Sequence, residues 1–375
     1  MTAKRRVLLL DNSVGTTGAY RSAVAMAEAI RGQADTLFVL PPSPALHAEL
    51  ESLGFASHVM PMAEIGRSIR RLAAYIPMLL VNGMRLRHML VRERVDVLVA
   101  NDYYNLLPLM VRLMGWRGRI ITIVRLLPLG QQPLLNRLWI AAMRLASNHV
   151  IAVSRAVAVQ LPTDARAEVV YFPVGRGLEA IPLVAPPAEA KGSPVTFLYL
   201  ANFIHGKGQM HALRAFAEAL EAWPSARLRF AGGDMGLAKN AAYRDALLAE
   251  ALRLGLHDRV QFDGPVEDVA TAIQAADVVL NFSESESFSH TCVEAGLLGR
   301  PVIATRCGGP EDIVEDGATG LLVPCGDLAQ MGMAMLRLMR DPTLRQDMGR
   351  AAWTHTRKRF GEAGFAARML RFITS

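Results

Sequence analysis

Cysteine is scarce in this chain. Three residues in 375, Cys292, Cys307 and Cys325, are odd in number and lack metal-ligand spacing. That excludes a disulfide-stapled secreted scaffold and a zinc module, and makes reduced thiols in the cytosol the plain reading. Lysine is scarcer still for a basic protein, with five lysines against 36 arginines. Long apolar runs are missing too. None reaches the roughly 20 residues that span a bilayer, although 51% of the chain is hydrophobic, enough for two buried cores. Asp11 cuts short the N-terminal run Val7–Leu10 behind Lys4-Arg5-Arg6, so this stretch reads as a first strand and not as a signal peptide. No Asp-x-Asp pair occurs, and no metal is expected. No nucleic-acid module signature is visible either, and no nucleic-acid partner is expected.

What is present alternates. Strand-like runs at Val7–Leu10, Thr36–Leu40, Val95–Ala100, Ile120–Val124, His149–Val153 and Val169–Phe172 are separated by helical patterns such as Ala19–Arg31, Asn105–Met114 and Leu134–Ala146. A proline-rich stretch from Pro173 to Pro194 reads as a linker. A second series follows at Val195–Leu200, Leu228–Ala231, Val260–Phe262, Val278–Leu280, Val302–Thr305 and Gly320–Val323. Such alternation predicts an α/β chain with two Rossmann-like parallel-sheet domains, and ligands in such sheets bind beyond the carboxyl ends of strands. The net charge of +7 is uneven. Residues 1–170 hold 20 Lys+Arg against 11 Asp+Glu, or +9, and the rest hold 21 against 23, or −2. A basic half suits a phosphorylated substrate or an anionic membrane, and equally a set of solvated Arg-rich helices.

The motifs cluster at the strand ends of the second series. Glu286 and Glu294 lie eight positions apart within Ser283-Glu-Ser-Glu-Ser-Phe-Ser-His-Thr-Cys-Val-Glu294. The pattern places Glu286 in a loop after a strand and Glu294 about one turn into a helix from His290 to Leu298. Backbone N–H groups at that helix start favour an anion. Lys207, in His205-Gly206-Lys207-Gly208, offers a compact cation where glycines let the backbone approach a ligand. Further on come Gly308-Gly309-Pro310-Glu311 and Asp316-Gly317, read as turn chemistry and a helix start.

These residues resemble the retaining glycosyltransferases of family 4, the glycosyl transferases group 1, which have the GT-B fold. Glu286, Phe288, Glu294, Ala295, Gly299, Pro301, Val302, Ile303 and Ala304 fall in place, as do Gly308, Gly309, Glu311, Gly320, Pro324 and the Lys207 loop. The match runs from about residue 195 to 330. The resemblance implies two Rossmann-like domains facing a central cleft: residues 1–173 binding the acceptor, 174–194 a linker, 195–355 binding the donor, and 356–375 a helix crossing back to the first domain. It implies transfer of a sugar, with retention, from a nucleotide-diphosphate sugar (UDP- or GDP-linked) to an acceptor hydroxyl, with no further cofactor.

Residue roles follow from the same resemblance. Glu286 would contact sugar hydroxyls and Lys207 the diphosphate. Glu294 would hold the ribose. Asn202, Ser287, Phe288, Ser289, His290 and Thr291 would line the donor site, and the Gly15-Thr16-Thr17-Gly18 turn after the first strand would lie against the donor phosphates or the acceptor, although a tight turn needs no ligand to explain it. Asn202 stands where the family usually carries Arg, and Asn101-Asp102 and Arg125 stand where a histidine is common. Asp102 is then either a base toward the acceptor hydroxyl or a helix cap. The stretch Arg67–Arg94 interleaves apolar residues with seven arginines and is interrupted by Pro77 and Gly83. It reads either as a membrane-surface segment or as a helix packed on its sheet with arginines outward. The expected acceptor is a lipid-linked saccharide or other glycan, handled in the cytoplasm or on the inner face of the cytoplasmic membrane, in polysaccharide or lipopolysaccharide assembly. The competing expectations are a nucleotide-sugar epimerase on the same architecture and a non-catalytic partner protein.

Overall fold

A computed structural model describes residues 4–62, 69–127, 133–174, 177–183 and 194–374. The chain divides into two compact units, Met1–Pro173 with Glu362–Ser375, and Val174–Gly361. Much of the expected linker, residues 175–176 and 184–193, lies outside the described residues.

The first unit is a parallel sheet. Its strands are β1 (Arg5–Leu10), β2 (Ala34–Leu40), β3 (Ala56–Val59), β4 (Val97–Ala100), β5 (Arg119–Val124), β6 (His149–Ala152) and β7 (Glu168–Val169), in the order β3-β2-β1-β4-β5-β6-β7. Helices cover the strands, so central strands are buried along their length and read as unbroken apolar runs. The edges are harder to see. β3 is Ala-Ser-His-Val with no fully buried residue, and it has no sequence signal. β7 pairs over two residues only, against the four expected at Val169–Phe172. Val170, Tyr171 and Phe172 are buried by packing instead. Phe172 meets Phe365 of the last helix, Glu362–Thr374, with ring centroids 4.8 Å apart. That helix also buries Met369, Phe372 and Ile373, each side chain gaining roughly 1.5–3 kcal/mol over exposure. Arg119 closes the contact, donating from Nη1 to the Phe372 and Ile373 carbonyls.

One expectation is corrected here. Pro77 and Gly83 do not break the Arg67–Arg94 stretch: a single helix runs from Ile69 to Arg92 with Pro77 inside it. Proline removes one helical N–H and crowds the preceding turn, a cost this 24-residue helix carries without a break. Gly83 is a packing choice, since a Cβ there would come within 3.1 Å of Met110 on the neighbouring helix Leu107–Leu113. Arg67 lies outside the described residues.

The second unit holds β8 (Thr196–Leu200), β9 (Arg227–Ala231), β10 (Val260–Gly264), β11 (Val278–Asn281), β12 (Val302–Thr305) and β13 (Gly320–Val323), all parallel, in the order β10-β9-β8-β11-β12-β13. Its core gathers Phe197, Tyr199, Phe216, Phe230 and Phe282 with Met331, Met335 and Leu338. The helix Pro342–Phe360 is unbroken through residue 356 and ends before Gly361. Strand order reverses between β1 and β4 in one sheet and between β8 and β11 in the other. Such reversals open a crevice at the carboxyl ends of the strands.

Candidate active site

At the second reversal two loops are locked together. The chain leaves β8 at Leu200 and turns to enter the helix Gln209–Ala222. Gly208 has φ +79°, and a Cβ there would lie 1.9 Å from the Phe282 carbonyl oxygen. Both the backbone conformation and the space therefore require glycine. Tyr199 bridges the same two loops from beneath. Its buried hydroxyl donates to the Lys207 carbonyl and accepts from the Phe282 N–H at 2.8 Å.

This bracing aims Lys207 at the loop after β11. Its Nζ lies 2.5 Å from Glu286 Oε1, and Ser283 Oγ donates to the same oxygen at 3.0 Å. The pair is only partly wet, with side-chain exposures of 33% and 13%. The Glu286 backbone is pinned on both sides, donating to the Cys307 carbonyl at 3.1 Å and accepting from Gly309 N–H at 2.7 Å. Gly309 needs to be glycine because a Cβ would sit 2.6 Å from Phe288 Cα. Ser287 is half-buried, and the buried Phe288 ring packs against His290 and Phe360.

The next helix runs His290–Leu297, one residue shorter than expected. Ser289 caps it, accepting from Cys292 N–H at 3.3 Å and from Asn281 Nδ2 at 2.8 Å. Thr291 Oγ1 donates to the Leu200 carbonyl at 3.2 Å, which ties the helix start to β8. Glu294 is buried within this helix, 6% exposed. The Cys292 thiol is pushed up to about 12, by burial first, and the negative charges of Glu286 and Glu294 add to the shift against the Ser289 hydrogen bond. Cys292 thus lies within the field of both carboxylates and stays protonated.

Asn202 is a brace. Its Oδ1 accepts from Gly233 N–H at 3.0 Å and its carbonyl from Gln209 Nε2 at 2.8 Å, joining the loops after β8 and β9. His205 lies tilted against Tyr243, with ring centroids 4.2 Å apart.

The remaining sequence-named residues sit at the reversal of the first sheet. Thr17, between Gly15 and Gly18, caps the helix Gly18–Ile30 by accepting from Tyr20 N–H at 3.2 Å. Asp102 is 5% exposed. It accepts from Tyr103 N–H at 2.8 Å and Arg125 N–H at 3.4 Å. Burial raises its pKa to about 7, against the pull of those hydrogen bonds and the Arg125 charge. Arg125 donates from Nε to Asn101 Oδ1 at 2.5 Å and lies 4.3 Å over the Phe172 ring. Asn101 in turn reaches Asp11. A buried polar chain, Asp11–Asn101–Arg125–Asp102, thus closes the ends of β1, β4 and β5.

The structure therefore groups Lys207, Glu286 and Ser287–Thr291, with Asn202 bracing and Glu294 one turn into the helix. Gly15, Gly18 and Asp102 belong to the other unit. Sequence reasoning missed Tyr199, Ser283 and Cys307. Tyr199 sits in an apolar strand and reads as core, and the Cys307 contribution is a backbone carbonyl. Ser283 was available from its place three residues before Glu286.

With this geometry in view, residues 185–355 match the family of glycosyl transferases group 1. A stretch of 154 residues is 38% identical to the D-inositol 3-phosphate glycosyltransferase of Corynebacterium jeikeium, covering 40% of this chain and 37% of that protein. The chain matches little more than a third of the length of such curated relatives. The fold extends further. Anabaena HepE, solved in complex with UDP-glucose, has a TM-score of 0.81 at 20% identity, covering 98% of this chain and 99% of that one. A glycosyltransferase from Rickettsia africae gives 0.79 at 15% identity, covering 99% and 98%. At these identities the structures show a shared fold, and that fold is GT-B.

Proposed function

We propose that this chain, whose residues 185–355 match the group 1 glycosyltransferases and whose fold is GT-B, is a metal-independent, retaining hexosyltransferase. It takes a sugar from a nucleotide-diphosphate donor and delivers it to the hydroxyl of a glycan or lipid-linked saccharide. The observation that carries this reading is the Lys207–Glu286 pair, held at 2.5 Å at the strand-order reversal of the second sheet.

The chemistry follows from the charges. A departing nucleoside diphosphate gains negative charge, and a preorganised ammonium in a partly dry site stabilises that charge more than water does. Lys207 is the cation in place. Glu286, which engages Lys207 now, accepts hydrogen bonds from hydroxyls of the transferred sugar. Glu294 accepts two from the ribose, and such charge-assisted bonds are strong. Ser287–Thr291 bring the backbone N–H groups of a helix start toward the phosphates. Asn202 contributes bracing and a neutral donor. Gly15 and Gly18 shape the turn after β1, a further candidate ligand contact of the first unit. Asp102, with its pKa near 7, is the acceptor-side base, acting through whatever hydroxyl reaches it. We favour a UDP-linked donor, by analogy with HepE.

We place the work at the inner face of the cytoplasmic membrane, in polysaccharide or lipopolysaccharide assembly. Among the described residues no helix is long and apolar enough to cross a membrane. The helix Ile69–Arg92, however, exposes Ile76, Leu80 and Met84 at 54%, 45% and 56%, each four positions apart, and has no acidic residue. Its other face buries Leu86 and Leu90. Arg85, Arg87 and Arg92 are exposed beside the stripe, and each basic residue near an anionic surface contributes ~1 kcal/mol.

The test is a panel of UDP-, GDP-, ADP- and dTDP-linked sugars with wild type, Lys207→Ala and Glu286→Gln. Wild type should be stabilised by one nucleotide class and should transfer its sugar to extracted lipid or glycan. A wild type that no nucleotide sugar stabilises would remove the proposal.

A further inference from the structure

The first unit carries a pocket of about 400 Å³ at its own strand-order reversal, and all of its described lining residues belong to that unit. Its size falls within the range of small-molecule sites. Half of its lining is aliphatic or thioether, from Val14, Pro41, Met62, Met78, Leu79 and Leu107, and aromatic rings and amides make up the rest. Tyr104 and Trp139 supply aromatic surface, joined by Tyr75 from the helix Ile69–Arg92. Asn12, Asn82 and Asn105 supply amides. The aromatic side is rigid: Tyr103, Tyr104 and Trp139 meet edge to face, with centroids 6.1 to 6.4 Å apart. The amide side is ordered as well. Asn105 donates to Asn12 Oδ1 at 2.8 Å and accepts from Leu107 N–H at 2.9 Å, and Asn82 donates to the Pro61 carbonyl at 2.6 Å. Asn12 also bonds the Tyr104 side chain, and burial raises the pKa of that phenol further above neutrality, so it stays a hydroxyl.

We infer that this pocket binds an uncharged pyranose of the acceptor, the flat C–H face on the aromatic wall and the hydroxyls on the amides. A sugar ring presents both chemistries at once. Amides offer donors and acceptors together, as a set of hydroxyls requires, and aromatic rings offer large apolar area that loses little freedom. A phosphate would want a cation, and none of the described lining residues is charged. The inference rests on the glycosyltransferase reading and adds the chemical class of the acceptor: a neutral sugar unit.

The test keeps the full chain and fixes the donor product UDP at saturation. Octyl glycosides of glucose, galactose, mannose and N-acetylglucosamine are titrated against the same sugars as 6-phosphates, with octanol as the tail-only control. Binding is read by thermal shift with UDP present, and transfer from radiolabelled UDP-sugar is read in separate reactions without added UDP. At least one octyl glycoside should bind saturably, more tightly than its 6-phosphate by tenfold or more. Trp139→Ala and Asn105→Asp should each weaken it at least tenfold while leaving the UDP-induced shift unchanged. Met78→Trp, which fills the pocket from a half-buried position, should abolish it and guards against a folding defect in the first two variants. Preference for the 6-phosphate or for octanol overturns the inference, as does glycoside binding that survives all three variants. Failure of UDP to shift the protein, with glycoside binding intact, overturns the choice of UDP alone; failure of GDP, ADP and dTDP as well overturns the transferase reading and leaves the sugar pocket standing.

Discussion

Removal of the Lys207 ammonium is the perturbation that the second unit should feel most. In Lys207→Ala, Glu286 keeps Ser283 Oγ at 3.0 Å but loses the cation at 2.5 Å. The carboxylate is 13% exposed and the lysine 33%, so the loss falls between the ~0–1 kcal/mol of an exposed pair and the 3–5 kcal/mol of breaking a buried one. We expect about 1–2 kcal/mol of stability. For a unit of this size that lowers Tm by roughly 2–8 °C. The catalytic loss should be larger, since removing one preorganised group from a developing charge costs about 100- to 1,000-fold in rate. Glu286→Gln keeps the shape and removes the charge, and the double variant closes the cycle. If the lysine serves the leaving phosphate as well as Glu286, the two rate losses will not cancel: Lys207→Ala will remain slow in the Glu286→Gln background. Stability by thermal melt and initial rates at saturating donor measure both quantities. Full transfer activity in Lys207→Ala would refute the assignment, and a rate loss no greater than the stability loss predicts would make the lysine a purely structural partner.

Other expected outcomes are as direct. Gly208→Ala forces a left-handed backbone, at roughly 1–2 kcal/mol, and drives a methyl into the Phe282 carbonyl; donor affinity should fall with Lys207 still present, as calorimetry would show. Asp102 has a raised pKa in the folded chain, so its contribution to stability is full below its ordinary 3.8 and lost as pH rises through about 7. Asp102→Asn should therefore flatten the fall in Tm between those pH values. Replacing Ile76, Leu80 and Met84 together by Ser should weaken sedimentation with phosphatidylglycerol vesicles several-fold with little change in Tm, because all three side chains are exposed; unchanged vesicle binding would remove that helix from the proposed membrane contact.

The second half of the chain was readable because its chemistry is local. Lys207 lies in a contiguous Gly-Lys-Gly loop and Glu286 in a loop set by the following helix, so short motifs place both groups once β8 and β11 are adjacent. Buried parallel strands also announce themselves as apolar runs. The misses share a cause, which is that tertiary packing decided what local pattern did not. β3 lies at an edge and has no apolar run, Phe172 packs on Phe365 from the far end of the chain, and Pro77 sits inside a helix that runs on through it.

The first half shows the limit of motif reading from the other side. Its pocket takes Asn12 from the end of β1, Tyr75 and Asn82 from one helix, Tyr104 and Asn105 from the end of β4 and Trp139 from another helix. No two of these contributions come from one motif, and each residue alone is an ordinary turn amide or core aromatic. A diphosphate has one charge pattern, so a short loop and a helix start suffice for it. An acceptor sugar is told from its competitors by hydroxyl positions around a ring, and reading them needs groups placed on several sides. That demand scatters the determinants over more than 120 residues of sequence. On the proposed reading acceptor choice is a property of the folded sheet end, and replacing Tyr104 and Trp139 together should alter it more than any change within the Gly15–Gly18 turn.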